Sequence, residues 1–391
     1  MAPLDKIKVL DFTQAAGGPF GSQMLGDMGA DVIKIEPLSG DHFRFSLKGV
    51  WIPTLNRNKR SIAINLKDPE GRKAILNLAE KADVLFESFV PGTMDGLGLG
   101  YKVIEAVNPG IIYCSLTGYG QKGLYRQRAG YDVCAQAESG LMAATGEEGR
   151  SHVRIGASVI DYGTGMFAAY GITLALLERQ KTGRGQYIDV SLLDTAVTFM
   201  NYWYTYYYVT GETPPRLGTG HLNAVPYQVF ETSDRPVFVG VSTNKFWETF
   251  CALFNLNHLA GDPRFAANDD RVKNREQLVP LVQEVLRKFD SKELTARLNS
   301  GGIPCAIVME VSEAVEDPHI KENILVEMDC PNLGKLKIPG IPVRLSGTPG
   351  GIKRPGPLLG EHTVEILKET GYSDDEINQL IEKEVILQHK S

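Results

Sequence analysis

The chain has 391 residues, 43% of them hydrophobic, and 41 Lys and Arg against 47 Asp and Glu give a formal net charge of −6. A chain of this length buries roughly three quarters of its unfolded surface without needing staples, and the acidic balance argues against nucleic acid as a partner. No apolar run approaches the roughly 20 residues of a membrane span, and the start MAPLDKIKVLDF runs straight into a strand-like segment without a leader, so a cytoplasmic protein with no membrane partner is expected.

Short β-rich runs at 8–12, 31–35, 61–66, 83–89 and 111–116 alternate with helical periodicity at 19–28, 69–81 and 101–107. That alternation predicts an α/β fold, a parallel sheet covered by helices in a doubly wound, Rossmann-like arrangement. Ligands in such sheets sit where strand carboxyl ends open into loops, which singles out the loops after Phe12, Glu36, Phe89 and Leu116. A long apolar helix follows Asp161 through Met166, Ile172 and Leu176 to the stop signal Lys181-Thr182-Gly183, and 186–193 reads as a further buried strand. The stretch 198–209 holds seven aromatics in twelve residues. It predicts a helix packed deeply or at a subunit interface, with an aromatic ligand pocket as the alternative. From 211 the chain crosses into a small α+β domain, with strands at 227–232, 237–241 and 304–308 and helices at 246–254, 275–289 and 292–298. A Pro/Gly-rich connector at 346–360 leads to closing helices at 361–370 and 374–383. The expected division is a large domain over 1–210, a linker at 211–224, a small domain over 225–325 and a closing segment over 326–391.

Five cysteines without CxxC spacing and seven histidines without an HExxH arrangement predict reduced thiols and no metal site. Neither a GxSxG elbow nor a GxxxxGK[ST] loop occurs, and Gly96-Leu97-Gly98-Leu99-Gly100 has the wrong spacing and place for a dinucleotide fingerprint. Gly17-Gly18-Pro19, between the first strand and its helix, suits either close approach of a ligand to backbone amides or a simple turn. Arg57-Asn58-Lys59-Arg60, with Lys67 soon after, could neutralise phosphates or form a solvated basic loop. Asp161 stands at the start of the long apolar helix among small residues. It reads either as an N-cap, which predicts a loss of about 0.5 to 2 kcal/mol on Asp161→Ala, or as a carboxylate nucleophile that a bulky ligand can reach.

Taken together, the segments VLDFTQAAGGPF, GADVIKIEPLSGD, NRNKRSIAINLKDPEG, ADVLFESFVPGTMDGLGLGY, IIYCSLTGYGQKG, RAGYD, IDYGTGMFAAYGITLALLERQKTGRGQYIDVSLLD and PLLGEHT resemble the class III coenzyme A transferases of the CaiB/BaiF type. They run from residue 7 to 363, and the succinyl-CoA-dependent dicarboxylate (glutarate-type) branch is the most similar. The resemblance implies an interlocked-ring dimer, with a heteromer as the alternative. It also implies acyl-CoA and carboxylic acid substrates, with no permanently bound cofactor. It puts the catalytic aspartate on Asp161, acting through an aspartyl mixed anhydride and an aspartyl-CoA thioester. It implies CoA contacts at Arg60, Ile64, Lys67, Ser88, Phe89, Leu97, Tyr131 and Asp132, and contacts with the acid at Ala16, Arg44 and His221. Arg128, Arg154 and Arg216 are further candidates to clamp a second carboxylate. Oxalate-specific members carry glutamine where this chain has Ala16, and the racemase branch carries histidine at the position of Tyr131, so a dicarboxylate transferase is favoured. An α-methylacyl-CoA racemase or epimerase and a non-catalytic CoA-binding subunit are the alternatives.

Overall fold

The computed structural model describes residues 1–389, which form two compact units. The first comprises Met1–Leu141, Arg154–Asn201 and the chain from Lys321 onward; the second comprises Met142–Val153 and Tyr202–Ile320. The second unit thus starts at Tyr202, ahead of the 211–224 linker read from the sequence, and also takes in the 142–153 excursion.

In chain order the strands are β1 (Lys8–Phe12), β2 (Asp31–Glu36), β3 (Lys59–Ile64), β4 (Val84–Glu87), β5 (Ile112–Thr117), β6 (Gln186–Ser191), β7 (Tyr227–Phe230), β8 (Val237–Gly240), β9 (Cys305–Ile307), β10 (Leu325–Cys330), β11 (Gly334–Pro339) and β12 (Ile386–Leu387). The first unit is built on a sheet of order β12-β3-β2-β1-β4-β5-β6, parallel except for β12, which runs antiparallel to β3. Strands β3, β4 and β5 are buried along their whole length because helices cover both faces. One face packs Leu10, Ile33, Ile62 and Leu85 with Ile75, Ile104 and Ile366; the other packs Val9, Val32, Phe86 and Cys114 with Leu25, Ile160, Ala168 and Ile172. The strand order reverses between β1 and β4, and a doubly wound sheet opens its ligand crevice at that switch point.

The Val159–Thr182 helix is long and apolar enough to cross a membrane by length and composition. It buries Ile160, Ala168, Ile172 and Leu176 in the second face of the core, and ends at Gly183, whose φ of 70° breaks the helix. The β10–β11 hairpin, which the sequence reading left unassigned, belongs to this unit and carries its own small cluster of Met328, Cys330 and Ile338.

The second unit holds the antiparallel sheet β7-β8-β9 and a core of Trp247, Phe250, Leu278, Val282, Leu294 and Leu298, consistent with α+β character. Its Asn201–Thr210 helix is the aromatic stretch, and the expectation of deep packing is corrected: none of its residues is buried, and Tyr202 and Tyr208 are 63% and 82% exposed.

Candidate active site

At the switch point β1 and β4 release the chain into loops beginning at Thr13 and Ser88, and a hydrogen bond joins them: the Gln14 N–H donates to Ser88 Oγ (2.9 Å). The first loop turns through Ala15, a non-glycine residue at φ 63°, into the Gly17–Asp27 helix. That helix meets the Val159–Thr182 helix backbone to backbone. A Cβ on Gly17 would come within 2.9 Å of the Asp161 carbonyl oxygen, and one on Gly165 within 2.3 Å of the Gly17 carbonyl oxygen. Any side chain at these crossings would force the helices apart, so glycine sets the distance between Asp161 and the first loop.

Asp161 is the third residue of its helix rather than its cap. The N-cap, Ser158, makes no side-chain bond, and Asp132 does the capping from a distant helix, Asp132–Glu138. Asp132 Oδ2 accepts from the N–H groups of Ile160 (2.8 Å) and Asp161 (3.1 Å), two of the free donors that every helix start carries. Gln136 donates to Asp132 Oδ1 (2.5 Å) and accepts from the Ile155 N–H (3.0 Å), so both Asp132 oxygens are engaged and the approach to the helix is fixed. The Asp161 carboxyl, by contrast, has no hydrogen-bond partner among the described residues. Burial pushes it up, and the Asp132 charge adds to this, to about 7. Such a group is more basic than an ordinary aspartate, is substantially ionised at neutral pH, and is not neutralised by any neighbour.

The other expected residues fall into three groups. Ile64 ends β3, fully buried and paired with Ile386; Lys67 follows it in the exposed loop, where its carbonyl accepts from Arg72 Nη1 (2.9 Å). Ser88 and Phe89 leave β4, with the Phe89 N–H held by Glu87 Oε2 (2.8 Å). Phe89 and Leu97 pack with Leu66 against one core cluster, which brings the loops after β3 and β4 together. Tyr131 is the exposed N-cap of the Asp132–Glu138 helix, and Ala16, buried at the N-cap of the Gly17–Asp27 helix, contributes shape and no polar group.

Arg60 and Arg44 are corrected. Arg60 lies near the start of β3, away from the strand's carboxyl end, and its buried guanidinium is taken by Asp31 (2.6 Å), Glu365 (2.8 Å) and Glu369 (2.7 Å). Arg44 is buried against Glu36 (2.5 and 2.9 Å) and the Pro357 carbonyl (2.7 Å). Arg44 cannot reach a ligand without stranding the buried Glu36 carboxylate, and Arg60 would have to give up three carboxylates at once. His221 lies in the second unit, where Nδ1 accepts from the Asn223 N–H (3.1 Å). Of the remaining arginines, Arg128 lies over the Tyr119 and Tyr125 rings and pairs with Glu138, and Arg216 donates to the Arg150 carbonyl (2.7 Å). Arg154, exposed beside the Gln136-bound Ile155, has no partner among the described residues.

Sequence reasoning missed Glu87, Asp11 and Lys34, and took Lys59 only as one of the basic 57–60 group although it is fully buried. Burial pushes Glu87 up to about 7, with Asp189 and Asp95 adding to it against the Ser115 and Phe89 hydrogen bonds. The available signal was a charged residue inside an otherwise apolar strand, as in Val84-Leu85-Phe86-Glu87 and Val9-Leu10-Asp11-Phe12.

Residues 4–363 match the model of CoA-transferase family III. The chain is a member of that enzyme family. It is 40% identical over 402 residues to succinyl-CoA:glutarate CoA-transferase of Homo sapiens, covering all of this chain and 91% of that one. It is 34% identical to the succinyl-CoA–D-citramalate CoA-transferase of Chloroflexus aurantiacus, with 98% of each covered. A solved CAIB/BAIF family protein from Brucella suis matches it with a TM-score of 0.86 at 34% identity, covering 94% of this chain and 99% of the other. The family and the fold class read from the sequence are borne out.

Proposed function

We propose that this family III CoA-transferase moves CoA from succinyl-CoA to a dicarboxylic acid, with Asp161 as the covalent carrier. The observation that carries the reading is the Asp161 carboxyl itself, fixed through the main chain on two sides yet left without a partner among the described residues. Its oxygen attacks the donor thioester carbon; the C–S bond breaks, giving a mixed anhydride and CoA thiolate. The thiolate attacks the Asp161 acyl carbon, releasing succinate and leaving an aspartyl-CoA thioester. The acceptor carboxylate displaces the thiolate to form a second anhydride, and the thiolate then takes the acceptor acyl group, regenerating Asp161. Each step conserves an activated acyl group, so water must be kept from the anhydrides.

CoA lies along the loops after β3 and β4, near Ile64, Lys67, Ser88, Phe89 and Leu97, with Lys67 supplying a free ammonium for a phosphate. Tyr131 and Asp132 border the reacting end, Asp132 by holding the helix that carries Asp161. Arg154 is our candidate for the acceptor's second carboxylate, since it alone of the four arginines considered has no protein partner among the described residues. Met166, Tyr170, Leu174 and Leu177 line one exposed face of the long helix at helical spacing, and this unpartnered apolar stripe supports a homodimer. We place the enzyme in the cytoplasm.

The test is mass spectrometry of the protein mixed with succinyl-CoA and a panel of carboxylic acids. The expected result is a new CoA ester together with a CoA or acyl adduct on the Asp161 peptide, both lost in Asp161→Asn. Near-normal turnover by that variant would overturn the covalent reading. Deuterium entering the α-carbon of an acyl-CoA without any acceptor would favour the racemase instead.

A further inference from the structure

Beneath the turn that leads into the Gly17–Asp27 helix lie three charged side chains with no exposure at all: Asp11, Lys34 and Lys59. Their contacts converge on the main chain of that turn. Asp11 Oδ1 accepts from the Thr13 N–H (2.9 Å) and hydroxyl (2.5 Å), and Oδ2 accepts from Ser22 Oγ (2.6 Å) and Lys59 Nζ (2.9 Å). Lys59 Nζ also donates to the Pro19 carbonyl (3.0 Å) and to Asn56 Oδ1 (2.8 Å). Lys34 Nζ donates to the Thr13 carbonyl (3.0 Å) and to Asp41 Oδ2 (3.1 Å). The turn is therefore held at Thr13 and at Pro19, and between these two grips lies Ala15 in the left-handed region at φ 63°. A held, strained segment next to a reactive group is the usual setting for stored backbone strain.

We infer that Asp11, Lys59 and Lys34 are positioning residues: they hold the Thr13–Pro19 turn in its strained shape, and that turn sets Asp161, through Gly17, and the Ser88 loop, through Gln14. The inference rests on Asp161 being the nucleophile. Stability alone does not account for the cluster, because a buried ion pair replaced as a unit by apolar side chains of similar volume is often neutral or stabilising. Apolar side chains could fill the same space but could not bond the Thr13 N–H, which is buried and needs a partner, nor tie the Pro19 carbonyl to β3 as the Lys59 ammonium does. Without those bonds Ala15 is free to relax to negative φ, and the Gly17 contact with the Asp161 main chain shifts with it.

The test is the double variant Asp11→Leu/Lys59→Met, which removes the pair together, alongside Thr13→Val, which removes one hydroxyl bond. Both are compared with wild type for thermal midpoint, kcat, KM for succinyl-CoA and the rate of adduct formation on the Asp161 peptide. The expected double variant is folded, with a midpoint lowered by no more than the one unpaired Thr13 N–H costs, and a KM within about threefold. Its kcat and adduct rate fall together by about 10- to 100-fold, the scale of a sub-ångström to 1 Å misplacement of a reacting group. Thr13→Val moves the same way by a smaller factor. A folded double variant with wild-type kcat overturns the inference; if the double variant does not fold, a Thr13→Val enzyme with unchanged kcat overturns it. Turnover by Asp161→Asn is a separate result and overturns the nucleophile reading instead.

Discussion

Asp11 and Asp161 flank the same helix start, and the fold treats them in opposite ways. Burial pushes the Asp11 carboxyl up, but the ammonium groups of Lys59 and Lys34 and the Ser22 and Thr13 hydroxyls outweigh it, so Asp11 lies below the usual carboxylate range. Asp161, part-buried, meets a burial penalty with no compensating group and the like charge of Asp132 nearby, and rises to about 7. Burial alone therefore does not decide what a carboxylate does. The partners supplied with it do, and this fold withholds them at Asp161, the aspartate proposed as the carrier.

Breaking that contrast from the Asp161 side gives the largest effect. Asp161→Asn is expected to lower turnover by at least about 10³-fold, measured as CoA-ester formation from succinyl-CoA. The same variant should gain stability at neutral pH. Because Asp161 binds its proton more tightly folded than unfolded, wild-type stability on its account falls as pH rises from about 4 to about 7. Asparagine removes that loss, which three pKa units bound at about 4 kcal/mol and partial exposure reduces to about 1–3 kcal/mol. Chemical denaturation of both proteins at pH 4 and pH 8 checks this; a gain confined to pH 8 is expected. From the other side, Asp11→Asn strands Lys59 and should cost about 3–5 kcal/mol in the same assay.

Two smaller changes sharpen the comparison. The kcat/KM for succinyl-CoA should rise with pH through about 7 as free Asp161 ionises, and Asp132→Asn should move that limb to lower pH by removing a like charge. Arg154→Gln should raise KM for a dicarboxylate acceptor about tenfold while changing that for a monocarboxylate little, the loss of one charge-assisted contact. Equal effects on both acids would free Arg154 from the role proposed for it.

The parallel sheet and its helices were legible because their periodicity is local. The β1, β2 and β5 runs agree with the observed strands to within a residue at each end, and the long helix stops at Gly183 as its sequence signals. The site was less legible wherever the decisive partner is remote. Asp161 looks like an N-cap in its own segment, since the capping carboxylate comes from Asp132, 29 residues earlier. Arg57 and Arg60 read as a basic loop, yet Asp27, Asp31, Glu365 and Glu369 take them in, two of these from the far end of the chain. The hairpin strand β10 did carry an alternating pattern, Val326 and Met328 against Glu327 and Asp329, and was legible in principle.

The Gly17–Gly165 crossing has one further consequence. Because the closest crossing of the two helices is made by main chain, the address of the proposed reacting carboxyl is written there in atoms that every amino acid shares. Residues around the crevice can then be exchanged to retune which acid is accepted without moving the point of attack, whereas a single added methyl at Gly17 or Gly165 would move it.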